Sequence, residues 1–282
     1  MSQARLSSGH LDHFLEHGYV KIESAFSRDA ALRGTRRAFD SLGYDIEDPS
    51  TWTLPTARVA PSYFTDIRIA APGIWSAACQ LLGGAERIAR VDDKSWSDFV
   101  ILNLSNEFGK PWTAPADYAR GWHKDGQQFR HFLDSPEQGL LGVTLWSDIA
   151  PRGGGTYIAP QSVGVVARYL LDHTEGVHPN AFPWDDLMRQ CPDRLEITGQ
   201  AGDAFLLHPF MLHTMSPNPD RKIRAIANPL WVLKEPMQLR RENESNYSVV
   251  ERAILRGLNK SSVDFSPTRA RICTPDSSPL PE

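Results

Sequence analysis

The sequence predicts a mainly β fold with flanking helices. Apolar runs of strand length recur between turn-rich connections in the middle of the chain, from residues 99–104 to 223–232. In the first third, apolar residues instead recur at helical spacing and are followed by glycine stops. Short strands with turn-rich connections are typical of a double-sheet jelly roll, or double-stranded β-helix, whose interior can enclose a ligand.

We expect the 282 residues to form a single domain. A chain of this length with 41% hydrophobic residues can bury a sizeable core, and all-β domains of this size often fold as one unit. Within it, we predict a mainly helical buttress at 1–97, a jelly-roll core at 98–235, and a C-terminal helix and tail at 236–282.

The buttress is predicted from helix caps and apolar stripes. Ser8 can cap the first helix, and Gly18 and Gly43 follow the first two apolar stripes as stops. Prolines favour a loop between the second and third helices. The predicted elements are helices at 8–18, 27–42 and 74–82, a strand at 19–22 and a loop at 48–61.

The core is predicted from apolar runs that are too short for helices. A loop at 109–120 leads into an extended segment, and Ser162 can cap a helix on the far side of the core. The polar stretch 173–192 is expected to be a loop near the active-site mouth that could act as a lid, with a plain surface excursion as the alternative. Strands are predicted at 99–104, 140–146, 156–159, 204–208 and 223–232.

Beyond the core, the sequence predicts one more helix. Ser248 and Glu251 have the spacing of a capping box, which predicts a helix through Leu258. The tail from about residue 261 is rich in Ser and Pro, so we expect it to be extended or disordered.

The motif His123-Lys124-Asp125 carries the first sign of chemistry. Side chains alternate along an extended backbone, so His123 and Asp125 point the same way. With a second histidine they would form the 2-His-1-carboxylate triad of non-haem Fe(II) oxygenases. His213 and His208 are the two candidates for that histidine.

Arg224 favours His213 as the second histidine. A turn rich in Pro, Asn and Asp follows His213, and Arg224 begins the returning apolar strand. Guanidinium binds carboxylate through two parallel hydrogen bonds, which suits a dicarboxylate co-substrate. The pattern therefore indicates iron and 2-oxoglutarate.

These residues resemble the phytanoyl-CoA dioxygenases, a family of Fe(II)- and 2-oxoglutarate-dependent oxygenases with a jelly-roll core. The resemblance is carried by residues 122–125, by Gly202-Asp203 leading to His208-Pro209 and His213, and by Asn218 with Arg224. It covers most of the chain, from about residue 11 to 231. The chain departs from the family at Lys124, where the family usually has Gln, and at residues 214–215, where it has Gly-Ser.

The resemblance implies roles for individual residues. His123, Asp125 and His213 would bind Fe(II), and Arg224 would hold the distal carboxylate of 2-oxoglutarate. Trp146 aligns with a tryptophan beside the co-substrate, and we add Thr156 as a further co-substrate contact. Asn103, a polar residue in an apolar strand, would either help hold the co-substrate or bond a neighbouring loop.

The implied function is oxidation of an organic substrate with 2-oxoglutarate and O2, most simply hydroxylation, with release of succinate and CO2. We expect a small or medium organic molecule, in a secondary-metabolite role. Asp125 argues against halogenation, because related halogenases lack this carboxylate. Two alternatives stay open: a cupin-like metal-dependent enzyme that does not use 2-oxoglutarate, and a non-catalytic metal-binding module.

The substrate-facing residues are less defined by the sequence. Aromatic side chains around the metal motif would suit an apolar substrate, with core packing as the alternative role for about half of them. His131 is expected to be exposed, and Lys124 to be either solvated or directed at an acidic substrate. The aromatic candidates are Trp112, Tyr118, Trp122, Phe129 and Phe132.

Composition limits the partners and the setting. The net charge of −4 gives no reason to expect nucleic acid or an anionic membrane, and no apolar run has the length of a membrane span. The three cysteines are odd in number and far apart, which indicates a reducing setting. No signal-peptide pattern or C-terminal peroxisomal tripeptide is present, so cytoplasm is the expected location. The oligomeric state is left open.

Overall fold

The computed structural model describes residues 5–89, 91–116, 121–274 and 278–281, in which helices flank two main β-sheets. The helices are α1 (Ser8–His17), α2 (Arg28–Leu42), α3 (Ile67–Ala70), α4 (Pro72–Leu82), α5 (Ser162–Leu171), α6 (Trp184–Met188) and α7 (Val249–Gly257). The strands are β1 (Tyr19–Ile22), β2 (Thr56–Val59), β3 (Phe64–Thr65), β4 (Trp96–Ser97), β5 (Val100–Asn103), β6 (Leu140–Leu145), β7 (Thr156–Ala159), β8 (Leu195–Glu196), β9 (Ala204–Leu207), β10 (Leu212–Met215), β11 (Arg224–Ala227) and β12 (Leu230–Trp231).

The large sheet has the strand order β1-β9-β6-β11-β5-β2, with β12 also paired to β6. The small sheet has the order β10-β7-β8, and β3 pairs with β4. Every strand pairing among the described residues is antiparallel. The predicted class, mainly β with flanking helices, is confirmed.

The two sheets contact each other through buried polar side chains. Arg224 on β11 donates to Thr156 Oγ1 on β7 at 2.9 Å. Asn103 on β5 donates to the carbonyl of Ser216, just beyond β10, at 3.1 Å. The metal motif lies beside the small sheet, because an isolated antiparallel bridge joins His123 to His213 on β10.

The helices cover the opposite face of the large sheet. Trp146, directly after β6, is 1% exposed and its ring packs against those of Phe26 and Trp96. Its carbonyl accepts a hydrogen bond from Thr35 of α2 at 2.6 Å. The ring lies so close to α2 that only the missing side chain of Gly34 leaves room for it.

The predicted buttress contains more sheet than expected. The helices form close to the predicted positions, with Ser7 rather than Ser8 capping α1. However, residues 56–59 form β2 inside the predicted loop and pair with β5 along four residues. β2 is a four-residue edge strand between Pro55 and Pro61. Its residues alternate between polar and apolar, but the run is short and the flanking prolines favoured a loop.

The C-terminal part is also more structured than its composition indicates. The capping box of Ser248 and Glu251 at α7 is confirmed. The described tail residues run across the loop that follows the metal motif: the amide of Thr274 donates to the Gln128 carbonyl at 2.9 Å, and that of Leu280 to the Gln127 carbonyl at 2.8 Å. Leu280 is only 6% exposed. The tail is therefore extended and attached along its described residues.

The stretch 173–192 is not a featureless loop. It contains α6, which contacts α5, and Val177 forms an antiparallel bridge with His131. None of the helices in the described part of the chain combines the length and the apolar character needed to cross a bilayer.

Replacing Gly34 by Ala tests the contact between α2 and the sheet. The new methyl group would overlap the rigid Trp146 ring, so we expect the free energy of unfolding to fall by about 1–3 kcal/mol. Gly9→Ala in α1 is the control, because its methyl group would meet only Ser7 Oγ at 3.8 Å and alanine favours helix by up to about 1 kcal/mol. Urea denaturation measures both; equal stability of Gly34→Ala and wild type would contradict the packing described.

Candidate metal centre

Three side chains converge where β10 meets the metal motif. The Nε2 atoms of His123 and His213 each lie 3.5 Å from Oδ1 of Asp125, and one ligand atom from each residue fits within a 4.8 Å cluster. His123 and His213 also exchange two backbone hydrogen bonds, at 3.1 and 2.9 Å. Residues paired in this way carry their side chains on one face, which explains the 4.4 Å separation of the ring centroids.

The sharp turn after Asp125 depends on glycine. Gly126 has φ +118°, and a side chain there would overlap the rings of Phe129 and His131. Only glycine adopts this conformation readily. The turn lets the chain leave the centre directly after the carboxylate, with the following loop packed beneath it.

The donor set fits a divalent metal ion. His123 Nδ1 donates to the Gly121 carbonyl at 2.6 Å, and His213 Nδ1 donates to the Met211 carbonyl at 3.1 Å. These bonds fix the tautomers, so both Nε2 lone pairs face the Asp125 carboxylate. His213 Nε2 is buried and has no hydrogen-bond partner among the described residues. Three converging electron-pair donors suit a cation, and two imidazoles with one carboxylate are the ligands of the facial triad.

The electrostatics of the cluster follow from this arrangement. Burial acts to raise the pKa of Asp125, but the adjacent His213 and His123 outweigh it and hold the pKa well below its ordinary value. Burial acts to lower the pKa of His123, but the hydrogen bond and charge of Asp125 raise it above its ordinary value. The carboxylate is therefore ionised in the pH range in which metal would bind.

Lys124 lies between the two ligands but points away from them into the protein. It is 2% exposed, and burial lowers the pKa of its ammonium group to about 7. Its nitrogen donates to three neutral acceptors: His131 Nδ1 at 2.6 Å, the Asp125 carbonyl at 3.1 Å and Gln138 Oε1 at 3.2 Å.

His131 extends this contact to the turn. Its Nε2 donates to the Gly126 carbonyl at 2.8 Å, which leaves Nδ1 free to accept from Lys124. Burial and the neighbouring lysine keep the pKa of His131 well below its ordinary value, so the ring is neutral. We call Lys124, His131 and Gln138 the lysine clamp, because together they bond the carbonyls of Asp125 and Gly126.

Arg224, Asn103 and Thr156 lie together between the sheets. Arg224 and Asn103 are directly paired across β11 and β5, and Arg224 donates to Thr156 at 2.9 Å. Arg224 is 3% exposed, and its Nε has no partner among the described atoms. Burial lowers the pKa of this guanidinium to about 9. No acidic side chain of the described residues forms an ion pair with it.

Two sequence candidates lie elsewhere. Trp146 packs against the helical layer on the opposite face of the large sheet, so it contacts neither Arg224 nor the triad. His208 is fully buried, and its Nε2 donates to the Val250 carbonyl of α7 at 3.3 Å while its Nδ1 accepts from the Phe210 amide. Both ring nitrogens of His208 are thus occupied outside the cluster.

The sequence misplaced His131 and Lys124 of the lysine clamp, and it left the aromatic residues open between substrate contacts and core. His131 was expected on the surface but is 1% exposed, and Lys124 is buried rather than solvated. Only the alternation of residues 123–125 could have indicated that Lys124 points opposite to the ligands. Trp122, Phe129 and Phe132 are buried in the protein interior, and Tyr118 lies outside the described residues.

Neither a family model nor a curated protein matches the chain. Solved structures do. The non-heme alpha ketoglutarate dependent carbocyclase SnoK from nogalamycin biosynthesis matches with a TM-score of 0.50 and 17% identity, over 82% of this chain and 86% of SnoK. EctD from S. alaskensis, crystallised with 2-oxoglutarate and 5-hydroxyectoine, gives 0.48 and 17% over 82% and 78%. The epimerase SnoN, in complex with Fe3+, alpha ketoglutarate and nogalamycin RO, gives 0.44 and 15% over 79% and 82%.

At these identities the likeness concerns the fold. The match to SnoK agrees with the two antiparallel sheets and flanking helices, and the predicted jelly-roll core is confirmed.

Replacing Lys124 by Met tests the lysine clamp. Methionine keeps much of the volume but leaves three buried acceptors without a donor, so we expect a loss of about 1–3 kcal/mol in the free energy of unfolding. Lys94→Met is the control, because Lys94 is exposed and exposed substitutions usually change stability by less than about 0.5 kcal/mol. Guanidinium denaturation at a fixed pH measures both, and a Lys124→Met protein as stable as the control would show that the clamp is dispensable.

Proposed function

We propose that the chain is an Fe(II)- and 2-oxoglutarate-dependent oxygenase that oxidises a small or medium organic molecule, most simply by hydroxylation. The observation that carries the proposal is Arg224, a buried arginine without an acidic partner among the described residues, close to a cluster of metal-ligand type. A buried charge is costly unless it is paired. A ligand with a carboxylate supplies the missing partner.

The strand register indicates how far Arg224 lies from the triad. Thr156, which accepts from Arg224, lies two residues from Ile158 on β7, and Ile158 is the partner of His213 on β10. Two residues along a strand span about 7 Å. This spacing suits a short dicarboxylate that contacts a metal at one end and a guanidinium at the other.

Each residue would have a defined task in this enzyme. His123, Asp125 and His213 would hold iron, with the Gly121 and Met211 carbonyls fixing the orientation of the imidazoles. Arg224 would hold the distal carboxylate of 2-oxoglutarate. Thr156 and Asn103 would shape that end of the site, although the amide of Asn103 already donates to the Ser216 carbonyl. Bound iron, 2-oxoglutarate and O2 would supply the oxidation of a substrate C–H bond, with succinate and CO2 as co-products.

Arg224 and Asp125 also bear on the alternatives. A cupin-like enzyme without 2-oxoglutarate gives no reason for a buried unpaired arginine. A halogenase needs the place of Asp125 for halide. A non-catalytic metal-binding module accounts for the triad but not for Arg224.

The setting of the enzyme is part of the proposal. The neighbour SnoK comes from nogalamycin biosynthesis, in line with a role in secondary metabolism. All three cysteines are free thiols in the structure, which suits the reducing conditions of the cytoplasm. We propose a single catalytic domain over the whole chain, without nucleic-acid or membrane partners.

The proposed reaction predicts succinate formation from 2-oxoglutarate that requires both Fe(II) and O2. His213→Ala and Asp125→Ala remove a ligand, so we expect succinate release to fall at least about 100-fold in each. His208→Gln is the control, because His208 lies outside the cluster and glutamine can still donate to the Val250 carbonyl. Succinate release by the wild type without Fe(II), or equal loss in His208→Gln and His213→Ala at equal folded fraction, would contradict the assignment.

Arg224 gives a separate prediction for the co-substrate. Arg224→Ala removes the partner of the distal carboxylate, so we expect the concentration of 2-oxoglutarate needed for half-maximal succinate release to rise about 10- to 100-fold. Arg224→Lys should retain part of the affinity for 2-oxoglutarate that Arg224→Ala loses. Arg221→Gln, three residues away and bonded to the Trp52 carbonyl, is the matched control. An unchanged requirement in Arg224→Ala would contradict the role of Arg224.

A further inference from the structure

A second arginine, Arg58, faces the space between the sheets. The register pairs Thr56 of β2 with Asn103 of β5, and Asn103 with Arg224 of β11. Asn103 and Arg224 both bond groups of the small sheet, so this row of side chains points inward. Arg58 is two residues from Thr56, and residues two apart on a strand share a face. Arg58 therefore points inward as well.

The order of the strands places Arg58 opposite the metal cluster. β1 and β2 are the two ends of the large sheet. At the β1 end, Tyr19 and Lys21 line one cavity together with Leu195 and Glu196 of β8, at one edge of the small sheet. The opposite edge of the small sheet is β10, extended by the His123 bridge. The β2 end thus faces the edge of the small sheet at which the metal cluster lies.

Arg58 differs from Arg224 in its exposure to solvent. It is exposed, whereas Arg224 is buried. Among the described residues, Arg58 forms no hydrogen bond or ion pair through its side chain. The inward row that contains it continues with Ile101 and Ile226. Ile226 is buried, whereas Ile101 is partly exposed and offers an apolar surface next to the guanidinium.

We propose that Arg58 binds an anionic group, a carboxylate or a phosphate, of the substrate. The substrate class is then a small organic anion whose apolar part lies against Ile101, with the anionic group holding a C–H bond near the triad. This assignment rests on the proposed function, because it concerns the substrate of the same site.

The two arginines would serve different anions. Arg58 lies two residues along its strand from the row of Arg224, an offset of about 7 Å. Arg224 is buried and already bonded to Thr156, whereas Arg58 is open to molecules that enter after the co-substrate. One site thus has a buried position for the co-substrate and an open one for the substrate.

Binding of matched acids and neutral analogues tests the proposal. The probes are 4-phenylbutyrate against 4-phenylbutyramide, and phenethyl phosphate against phenethyl alcohol, titrated calorimetrically into the anaerobic protein loaded with Fe(II) and 2-oxoglutarate. We expect at least one acid to bind about 10-fold more tightly than its neutral analogue, because only the acid offers the guanidinium a charged acceptor. The pair that shows the preference distinguishes carboxylate from phosphate.

Variants assign the preference to Arg58. Arg58→Gln should abolish it and Arg58→Lys should retain part of it, whereas Arg36→Gln on the exposed surface of α2 should leave it unchanged. Equal or absent binding of acids and neutral analogues in the wild type, or a preference that survives Arg58→Gln, would overturn the proposal. Two further titrations separate it from the proposed function: 2-oxoglutarate into the Fe(II)-loaded protein, and the same acids and neutral analogues into the metal-free protein. Normal 2-oxoglutarate binding without an acid preference rejects the role of Arg58 alone. An Arg58-dependent acid preference without 2-oxoglutarate binding rejects the proposed function and leaves the anion site at Arg58.

Discussion

The pair of backbone hydrogen bonds between His123 and His213 is the constraint on which the site depends. These residues are 90 positions apart, and their pairing brings two imidazoles to one face at the edge of the small sheet. The turn at Gly126 and the lysine clamp then hold Asp125 beside them. Main-chain pairing thus fixes the positions of the two histidines of the candidate metal centre, and the turn and the clamp fix the position of the carboxylate. The geometry of the centre therefore depends mainly on the pairing at the edge of the small sheet.

The site also concentrates positive charge inside the protein. Arg224 and Lys124 are both buried and have only neutral partners among the described residues. Burial of such groups opposes folding, so each must be compensated. Lys124 is compensated locally, by three acceptors that include the Asp125 carbonyl. Arg224 is left with free bonding capacity at Nε, and a bound carboxylate is the natural compensation. This difference is the reason why we propose a ligand-binding role for Arg224 and a structural role for Lys124.

Much of the site was predictable because its residues stand in short, spaced motifs. The alternation of residues 123–125 and the turn after His213 indicated the cluster, and Arg224 followed from the chain reversal. The sequence could not show on which face of the sheet each side chain lies or which residues surround it. Trp146 lies on the helical face of the sheet, where the missing side chain of Gly34 leaves space for its ring. β2 was missed because it is only four residues long and lies between two prolines that favoured a loop, and without β2 there was no way to place Arg58. The burial of Lys124 depends on His131 and Gln138, which only the fold brings to it.

The most direct test of this account is an anaerobic titration of the metal-free protein with Fe(II) and 2-oxoglutarate, monitored by absorption in the visible range. If the three ligands and Arg224 act together as described, a metal-to-ligand charge-transfer band will appear only when both Fe(II) and 2-oxoglutarate are present, and it will be absent in His213→Ala. A wild-type protein that binds Fe(II) but shows no such band would contradict the 2-oxoglutarate site and favour a cupin-like enzyme that uses the metal alone.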